Sequence, residues 1–393
     1  MENRRKRPHD AAWDDDDPRP TKISEASRLP ADRNEQRRYV SPPLREDTVD
    51  GHYTYRNGEN LTSRYKIIGK MGEGTFGRVL ECWDRQNREM VAIKVVRSIK
   101  KYRDAAMIEI DLLHHLAKKE EGRLRCVRIL DWFDYRNHIC IVLEKLGPSL
   151  YEFLRSNNYR PFSLGLVREF GRQLLESVAY MHDLDLIHTD LKPENILVVS
   201  SEVVKLPGHK RNSQDEGKVW CLPKSSAIKL IDFGSSVFDR KGRSSIISTR
   251  HYRAPEVILG LGWSYPCDLW SIGCILVEFC TGRALFQTHE NLEHLAMMER
   301  VLGPIPRHMI QNASRDAQKY FRKTSLNWPE GAVSRESIRS VRQLESLKNI
   351  VDNHVQYSRS ELTDLLYGLL MFDPSKRFTA RQALKHPFFT RPI

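Results

Sequence analysis

His188-Thr189-Asp190-Leu191-Lys192-Pro193-Glu194-Asn195, followed further on by Asp232-Phe233-Gly234, is the stretch on which the reading of the whole chain turns. Within one short loop and one later tripeptide it supplies a carboxylate able to accept a hydroxyl proton (Asp190), a cation (Lys192) and two hard oxygen donors (Asn195 and Asp232). Moving a phosphoryl group from a nucleotide to an alcohol uses these residue types in this order. A lone Asp or Asn more often caps a helix or sits in a turn. Four roles filled in sequence count against that alternative.

Upstream, Gly72-Glu73-Gly74-Thr75-Phe76-Gly77-Arg78-Val79 precedes Val91-Ala92-Ile93-Lys94. A GxGxxG string in a dinucleotide-binding unit opens a helix directly after the third glycine. Here Arg78 to Trp83 and Met90 to Val96 read as two strands, so the glycines lie in a hairpin turn whose backbone can approach phosphates closely. Lys94 is placed to hold nucleotide phosphates and needs a carboxylate from a helix to fix it. The segment Tyr102 to Leu116 has apolar residues at helical spacing (Ala106, Ile110, Leu113, Leu116), and Glu109 is the preferred partner, with Asp104 and Asp111 as rivals.

The run Ile139 to Leu143 reads as a strand ending at a hinge, Glu144-Lys145-Leu146. An adenine ring is expected against the hinge backbone, walled by Met71, Val79, Ala92, Leu143 and Leu197. Beyond Leu146-Gly147-Pro148-Ser149 the pattern changes from strands to helices, with a buried stripe at Phe170, Leu174, Val178 and Met181.

Over about residues 65–389 the sequence resembles a eukaryotic protein kinase. Within that superfamily, Glu293-His294-Leu295-Ala296-Met297-Met298-Glu299-Arg300, the His-Thr-Asp form of the catalytic loop and the long insert between Val199 and Ala227 resemble the LAMMER (Clk-type) kinases, plant members above all. The resemblance implies an α+β, two-lobed fold: a small antiparallel sheet with one helix over 65–146, and a mainly helical lobe over 147–389 with inserts at 200–226 and 303–350. It implies ATP and Mg2+ as cofactors, with Asn195 and Asp232 as metal ligands. It also implies protein substrates rich in Arg-Ser dipeptides, namely splicing factors, a nuclear location, and dual specificity through tyrosine autophosphorylation.

Lysine at position 192 is the serine/threonine form of this loop, and Glu194 by resemblance faces an arginine near the acceptor. Thr189 departs from the general kinase pattern, in which an arginine reads a phosphate on the activation segment. Activity without an upstream kinase is therefore expected, despite Ser244, Ser245, Ser248 and Thr249 in that segment. Glu256 is expected to pair with Arg377, and Asp268 to anchor the catalytic loop, both as structural residues. The helical spacing of Leu292, Leu295, Met298 and Leu302 makes the LAMMER string a core helix before a docking site.

Composition fits this without deciding it. The 393 residues contain seven cysteines, none in a CxxC pair, and no long apolar run, so a reduced intracellular setting without membrane insertion is expected. The net charge is +12, of which residues 1–60 contribute −1. The remaining basic residues are dispersed, so direct nucleic-acid binding is not expected, and a monomer is.

Residues 1–50 read as a disordered arm, with the acidic run Asp14 to Asp17, the import-like cluster Arg4-Arg5-Lys6-Arg7-Pro8, and a Ser41-Pro42 phosphorylation motif. His52 to Arg56 alternates before Asn57-Gly58, which predicts a β-hairpin over 51–64 leading into the first lobe. A kinase-like scaffold and an RNA-associated regulator with little catalysis are the alternatives, and the complete set of reactive residues argues against the first.

Overall fold

The computed structural model describes residues 41–118, 125–207, 219–239 and 246–391. The N-terminal lobe is a five-stranded antiparallel sheet in the order β1-β2-β3-β5-β4, from β1 (Tyr65–Gly74), β2 (Gly77–Asp84), β3 (Glu89–Val96), β4 (Ile129–Tyr135) and β5 (His138–Glu144). Helix α1 (Lys100–Lys118) packs on it through Ala106, Ile110, Leu113 and Leu116, the positions the helical spacing singles out. Central strand β3 is buried on both faces from Val91 to Val96, as a strand between two neighbours should be. Beneath the opposite face Ile67, Leu80, Ile93, Val95 and Val142 form a second small core closed by Tyr53, Leu61 and Tyr65.

The C-terminal lobe begins with α2 (Leu150–Ser156) and α3 (Leu164–Asp183). Four short strands follow, β6 (Leu186–Ile187), β7 (Ile196–Val198), β8 (Val203–Pro207) and β9 (Val219–Pro223), then β10 (Ile228–Leu230) and β11 (Val237–Phe238). Strand β10 pairs with β7, and β11 with β6, so two small ladders hold the catalytic loop beside Asp232-Phe233-Gly234. Helix α4 (Pro255–Leu259) leads to α5 (Pro266–Thr281), which is buried almost all round. A helix with that pattern lies at the centre of its lobe. Trp270 stacks on Phe286 there with ring centroids 6.1 Å apart. Burying such a side chain stabilises the fold by roughly 1.5–3 kcal/mol.

Helix α6 (Asn291–Leu302) contains the LAMMER string and lies inside the lobe, with Leu292, Leu295 and Met298 buried. Glu293 accepts hydrogen bonds from the hydroxyls of Thr288 (2.6 Å) and Ser337 (2.7 Å), and Arg300 donates to the carbonyl of Leu344. The string thus ties α6 to the 303–350 insert. Far from being loose, that insert contains α7 (Arg307–Asn312), α8 (Arg315–Gln318), α9 (Arg335–Gln343) and the start of α10 (Leu347–His354). In the other insert, β8 and β9 form a hairpin fixed by Asn157, whose amide bonds Cys221 in both directions. Arg160 lies 4.2 Å from the Trp220 ring.

Two sequence expectations need correction. No β-hairpin forms over 51–64: the turn at Asn57-Gly58 exists, yet His52 to Arg56 is in no strand, and Gly58 and Glu59 instead bond to Ile67 of β1. Tyr53 packs edge-on against Tyr135 and His138 in the core of the lobe, and its stretch pairs with no strand. The disordered arm expected over 1–50 does not hold for its described part, and residues 1–40 lie outside the described residues. Residues 41–50 are fixed to the N-terminal lobe, with Arg45 forked onto Glu59 and Asp47 bonded to Ser98 and His138. The import-like cluster, the acidic run, Ser244 and Ser245 lie outside the described residues.

Candidate active site

Gly74 and Gly77 face each other across the Thr75-Phe76 turn that joins β1 to β2. The glycines of this loop do different things. A Cβ on Gly72 or Gly74 would point into open space, whereas one on Gly77 would lie 2.3 Å from the carbonyl oxygen of Val95. Gly77 therefore permits strand packing, and the first two leave room over the cleft. Glu73 and Arg78 are bonded to each other across the loop at 3.0 Å, and Phe76 lies edge-on to Tyr102 of α1.

Below the loop, Lys94 donates to both oxygens of Glu109 (2.8 and 2.9 Å) and to Asp232 (3.1 Å). Of the three carboxylates considered for Lys94, α1 therefore brings up Glu109. Burial works against the Lys94 charge, but Glu109 and Asp232 outweigh it and hold the ammonium above its ordinary value. The Lys94 ammonium in turn keeps the Asp232 carboxyl below the usual carboxylate range, against burial. Asp232 occupies the left-handed region at φ 63°, a strain of order 1 kcal/mol or more that the paired strands and the Lys94 bond hold in place.

Register sets the remaining wall. Val79 lies opposite Lys94, and Ala92 opposite Leu143. Leu143 and Leu197 are half-buried and Met71 is exposed, while Val142, Ile196 and Val198 beside the two leucines are fully enclosed. At the hinge the Glu144 carboxylate is committed to Lys229 and to the backbone N–H of Arg128, so its part in any ligand contact falls to its backbone. Leu146 is buried.

The catalytic loop is built on Asp268 of α5, which accepts the backbone N–H groups of His188 (2.9 Å) and Thr189 (3.0 Å) and bonds the His182 ring at 3.0 Å. On this platform Asp190 receives the Lys192 ammonium at 2.7 Å on one oxygen, and the Thr249 hydroxyl (2.7 Å) and N–H (2.8 Å) on the other. Burial alone would raise the Asp190 carboxyl; Lys192 and Thr249 together hold it low, ionised at neutral pH. The Asn195 amide nitrogen donates to the Asp190 carbonyl, which leaves its oxygen as the atom able to ligate a cation. Asn195 and Asp232 thus offer one amide and one carboxylate oxygen, a set that fits a hard divalent cation retaining much of its water. Among the described residues, no cluster of three or more His, Cys, Asp or Glu offers an alternative metal site.

Three features were not singled out by the sequence reading. Thr249 was noted only as a segment hydroxyl, and its contact with Asp190 spans 59 positions. His182, which backs Asp268, lies on α3 and carried no motif. Glu278 of α5 is buried, accepts the Tyr252 hydroxyl at 2.7 Å, and is pushed up to about 7 by burial, with Tyr252 opposing and the charge of Glu194 adding. Glu256 and Arg377 form the expected fork at 2.7 and 2.8 Å with both side chains fully buried.

Comparison with known proteins agrees with this geometry. The protein kinase domain model matches residues 65–389. Serine/threonine-protein kinase AFC3 of Arabidopsis thaliana is 69% identical over 353 residues, covering 90% of this chain and 88% of that protein. Human dual specificity protein kinase CLK2 is 47% identical over 88% of this chain and 68% of its own length. A crystallised kinase domain of 40% identity superposes with a TM-score of 0.78, covering 86% of this chain and 99% of that one. The chain belongs to the protein kinase family and, within it, to the LAMMER kinases that act on serine and threonine hydroxyls.

Proposed function

We propose that the enzyme phosphorylates serines flanked by arginine in Arg/Ser-rich splicing factors, and through them regulates pre-mRNA splicing in the nucleus. The observation that carries this is the acidic pair beside the catalytic loop. Glu194 is exposed next to Lys192, and buried Glu278 lies close enough to feel its charge. The Glu194 charge adds to burial in holding the Glu278 carboxyl up, so an arginine upstream of the acceptor, paired with Glu194, would relieve that repulsion as well. The net positive charge of the domain works against a basic substrate, and Glu194 with Glu278 is the local acidity that would offset it.

In the proposed reaction the substrate hydroxyl donates a hydrogen bond to ionised Asp190, which orients it and takes its proton as the bond to phosphorus forms. Lys192 neutralises charge gathering on the transferred group, and Lys94 holds the nucleotide phosphates. Magnesium, held by Asn195 and Asp232, would supply further charge neutralisation on the phosphates. The Gly72 and Gly74 backbone closes over them without side-chain obstruction.

A degenerate peptide library tests the assignment. Selection of arginine near the acceptor serine supports it, with Asp190→Asn abolishing incorporation. Selection of proline after the acceptor with no arginine effect overturns it. The nuclear assignment is tested by imaging a fluorescent fusion in which Arg4, Arg5, Lys6 and Arg7 are replaced by alanine.

A further inference from the structure

The Arg136 guanidinium sits at the tip of the β4–β5 turn and gathers in the start of the described chain. It donates to the carbonyls of Pro42 (2.6 Å) and Pro43 (3.0 Å) and to the hydroxyl oxygen of Ser41 (3.3 Å). Tyr135 supports it, with the guanidinium 5.1 Å from the ring centroid. Among the described residues no carboxylate forms an ion pair with Arg136, so its charge meets only neutral oxygens. Ser41 is exposed and stands directly before Pro42.

From Ser41 the chain runs as a strap over the N-terminal lobe, and the strap is connected to the nucleotide lid. Asp47 accepts the Ser98 hydroxyl at 2.6 Å, and Gly51 accepts the Ser98 N–H at 2.9 Å. The neighbouring Arg97 donates to Asp50 of the strap, to the Thr75 carbonyl in the glycine turn (3.1 Å), and to the Tyr102 hydroxyl on α1 (3.2 Å). Arg78, which bonds Glu73 in the glycine loop, also donates to the Tyr53 carbonyl at 2.8 Å. The strap is therefore tied to the lid through Arg78 and Arg97, and through Arg97 to Tyr102 on the helix bearing Glu109.

We propose that Ser41 is a phosphorylation site for a proline-directed serine/threonine kinase, and that Arg136 receives the phosphate and so fastens the strap. In the step, the Ser41 oxygen bonds to the γ-phosphorus of ATP held by that second kinase. The bond to the β–γ bridging oxygen breaks, ADP leaves with the electron pair, and the hydroxyl proton passes to the acting kinase's base. The product brings a charge of about −1.5 to −2 and three acceptor oxygens to a guanidinium whose geometry suits them. Pro42 is buried, so the acting kinase meets the segment while the strap is lifted, and the phosphate then strengthens its return.

The test uses the full chain carrying Asp190→Asn, which prevents self-phosphorylation, incubated with ATP and a purified proline-directed kinase. Mass spectrometry locates the phosphate, and hydrogen exchange is compared before and after over residues 47–53 and 72–77. Phosphate at Ser41 is expected, with strap exchange slowed about five-fold, the scale of one added charged contact on a locally opening segment. The slowing should disappear when Arg136→Gln or Ser41→Ala is added, and persist in part with Arg136→Lys. No phosphate at Ser41, unchanged or faster exchange, or equal slowing in Arg136→Gln would overturn the proposal.

Discussion

Thr249 and Asp190 are joined twice: the threonine N–H and hydroxyl both donate to one oxygen of the carboxylate, and the same hydroxyl accepts from Lys192 at 3.2 Å. The free lone pairs of Asp190 are thereby aimed, and its neighbour Lys192 is held within reach of the same space.

Thr249→Ala should lower kcat about 10- to 100-fold, since it deletes one hydrogen bond to a charged group worth roughly 1.5–3 kcal/mol. Thr249→Ser keeps the hydroxyl and should stay within about three-fold of the parent on the same scale. Steady-state kinetics with a basic peptide distinguishes the two variants. Equal losses in both would mean that packing of the methyl group, and not the bond to Asp190, matters.

The glycine loop separates stability from nucleotide binding. Gly77→Ala forces a methyl group against the backbone of Val95 and Val96, so its melting temperature should fall by several degrees, from a cost of about 1–3 kcal/mol. Gly74→Ala meets nothing within 4 Å. Its melting temperature should hold while KM for ATP rises. Thermal melts with and without nucleotide read both effects, and a stable Gly77→Ala would contradict the assigned packing role.

How much of this was legible follows from what each residue answers to. Lys94, Asp190, Lys192, Asn195 and Asp232 sit in short motifs because neighbouring positions in a tight loop must deliver them together. Glu109 was legible once a helix was placed, since the helix supplies few inward-facing carboxylates. Thr249 and Glu278 were not legible, because their roles depend on contacts across distant segments and their local patterns read as ordinary segment or core positions. The hairpin expected over 51–64 failed for the reverse reason. Asn57-Gly58 and the alternating tyrosines are local signals, and the lobe claims Tyr53 for its own core. The position of the LAMMER helix followed its apolar period, while the tie from Glu293 to Ser337 spans 44 positions and left no trace in the sequence.

On the proposed substrate reading, Glu278 makes substrate choice depend on pH. Its carboxyl titrates at about 7, well above an ordinary glutamate, so it is protonated below that pH and charged above it. An arginine near the acceptor gains most from the charged form. The ratio of kcat/KM for an arginine-bearing peptide to that for its alanine counterpart should therefore rise between pH 6 and pH 8, by up to about ten-fold for one charge-assisted contact. In Glu278→Gln the ratio should be low and flat over the same range. A pH-independent ratio in the parent enzyme would remove Glu278 from the specificity pocket.

Backbone carbonyls hold the described part of the activation segment. Thr189, in the place where kinases of the general pattern carry a phosphate-reading arginine, donates its hydroxyl to the Ser235 carbonyl at 2.8 Å and accepts the Ser248 hydroxyl on its own carbonyl at 2.7 Å. Arg253 closes the end of the segment by donating to the carbonyls of Ile247 (2.8 Å) and Ser248 (2.7 Å). Thr189 and Ser248 both hold positive φ, at 68° and 66°, so each needs these bonds to offset its strain. Because backbone carbonyls already satisfy the Arg253 cation, protein made in bacteria and treated with phosphatase should keep its kcat within about three-fold, less than one net hydrogen bond is worth. Arg253→Ala should lower kcat at least ten-fold in both treated and untreated enzyme, since two charged hydrogen bonds go at once. Loss of activity on phosphatase treatment, restored by rephosphorylation of the segment, would show that the neutral contacts are not enough to hold Thr249 on Asp190.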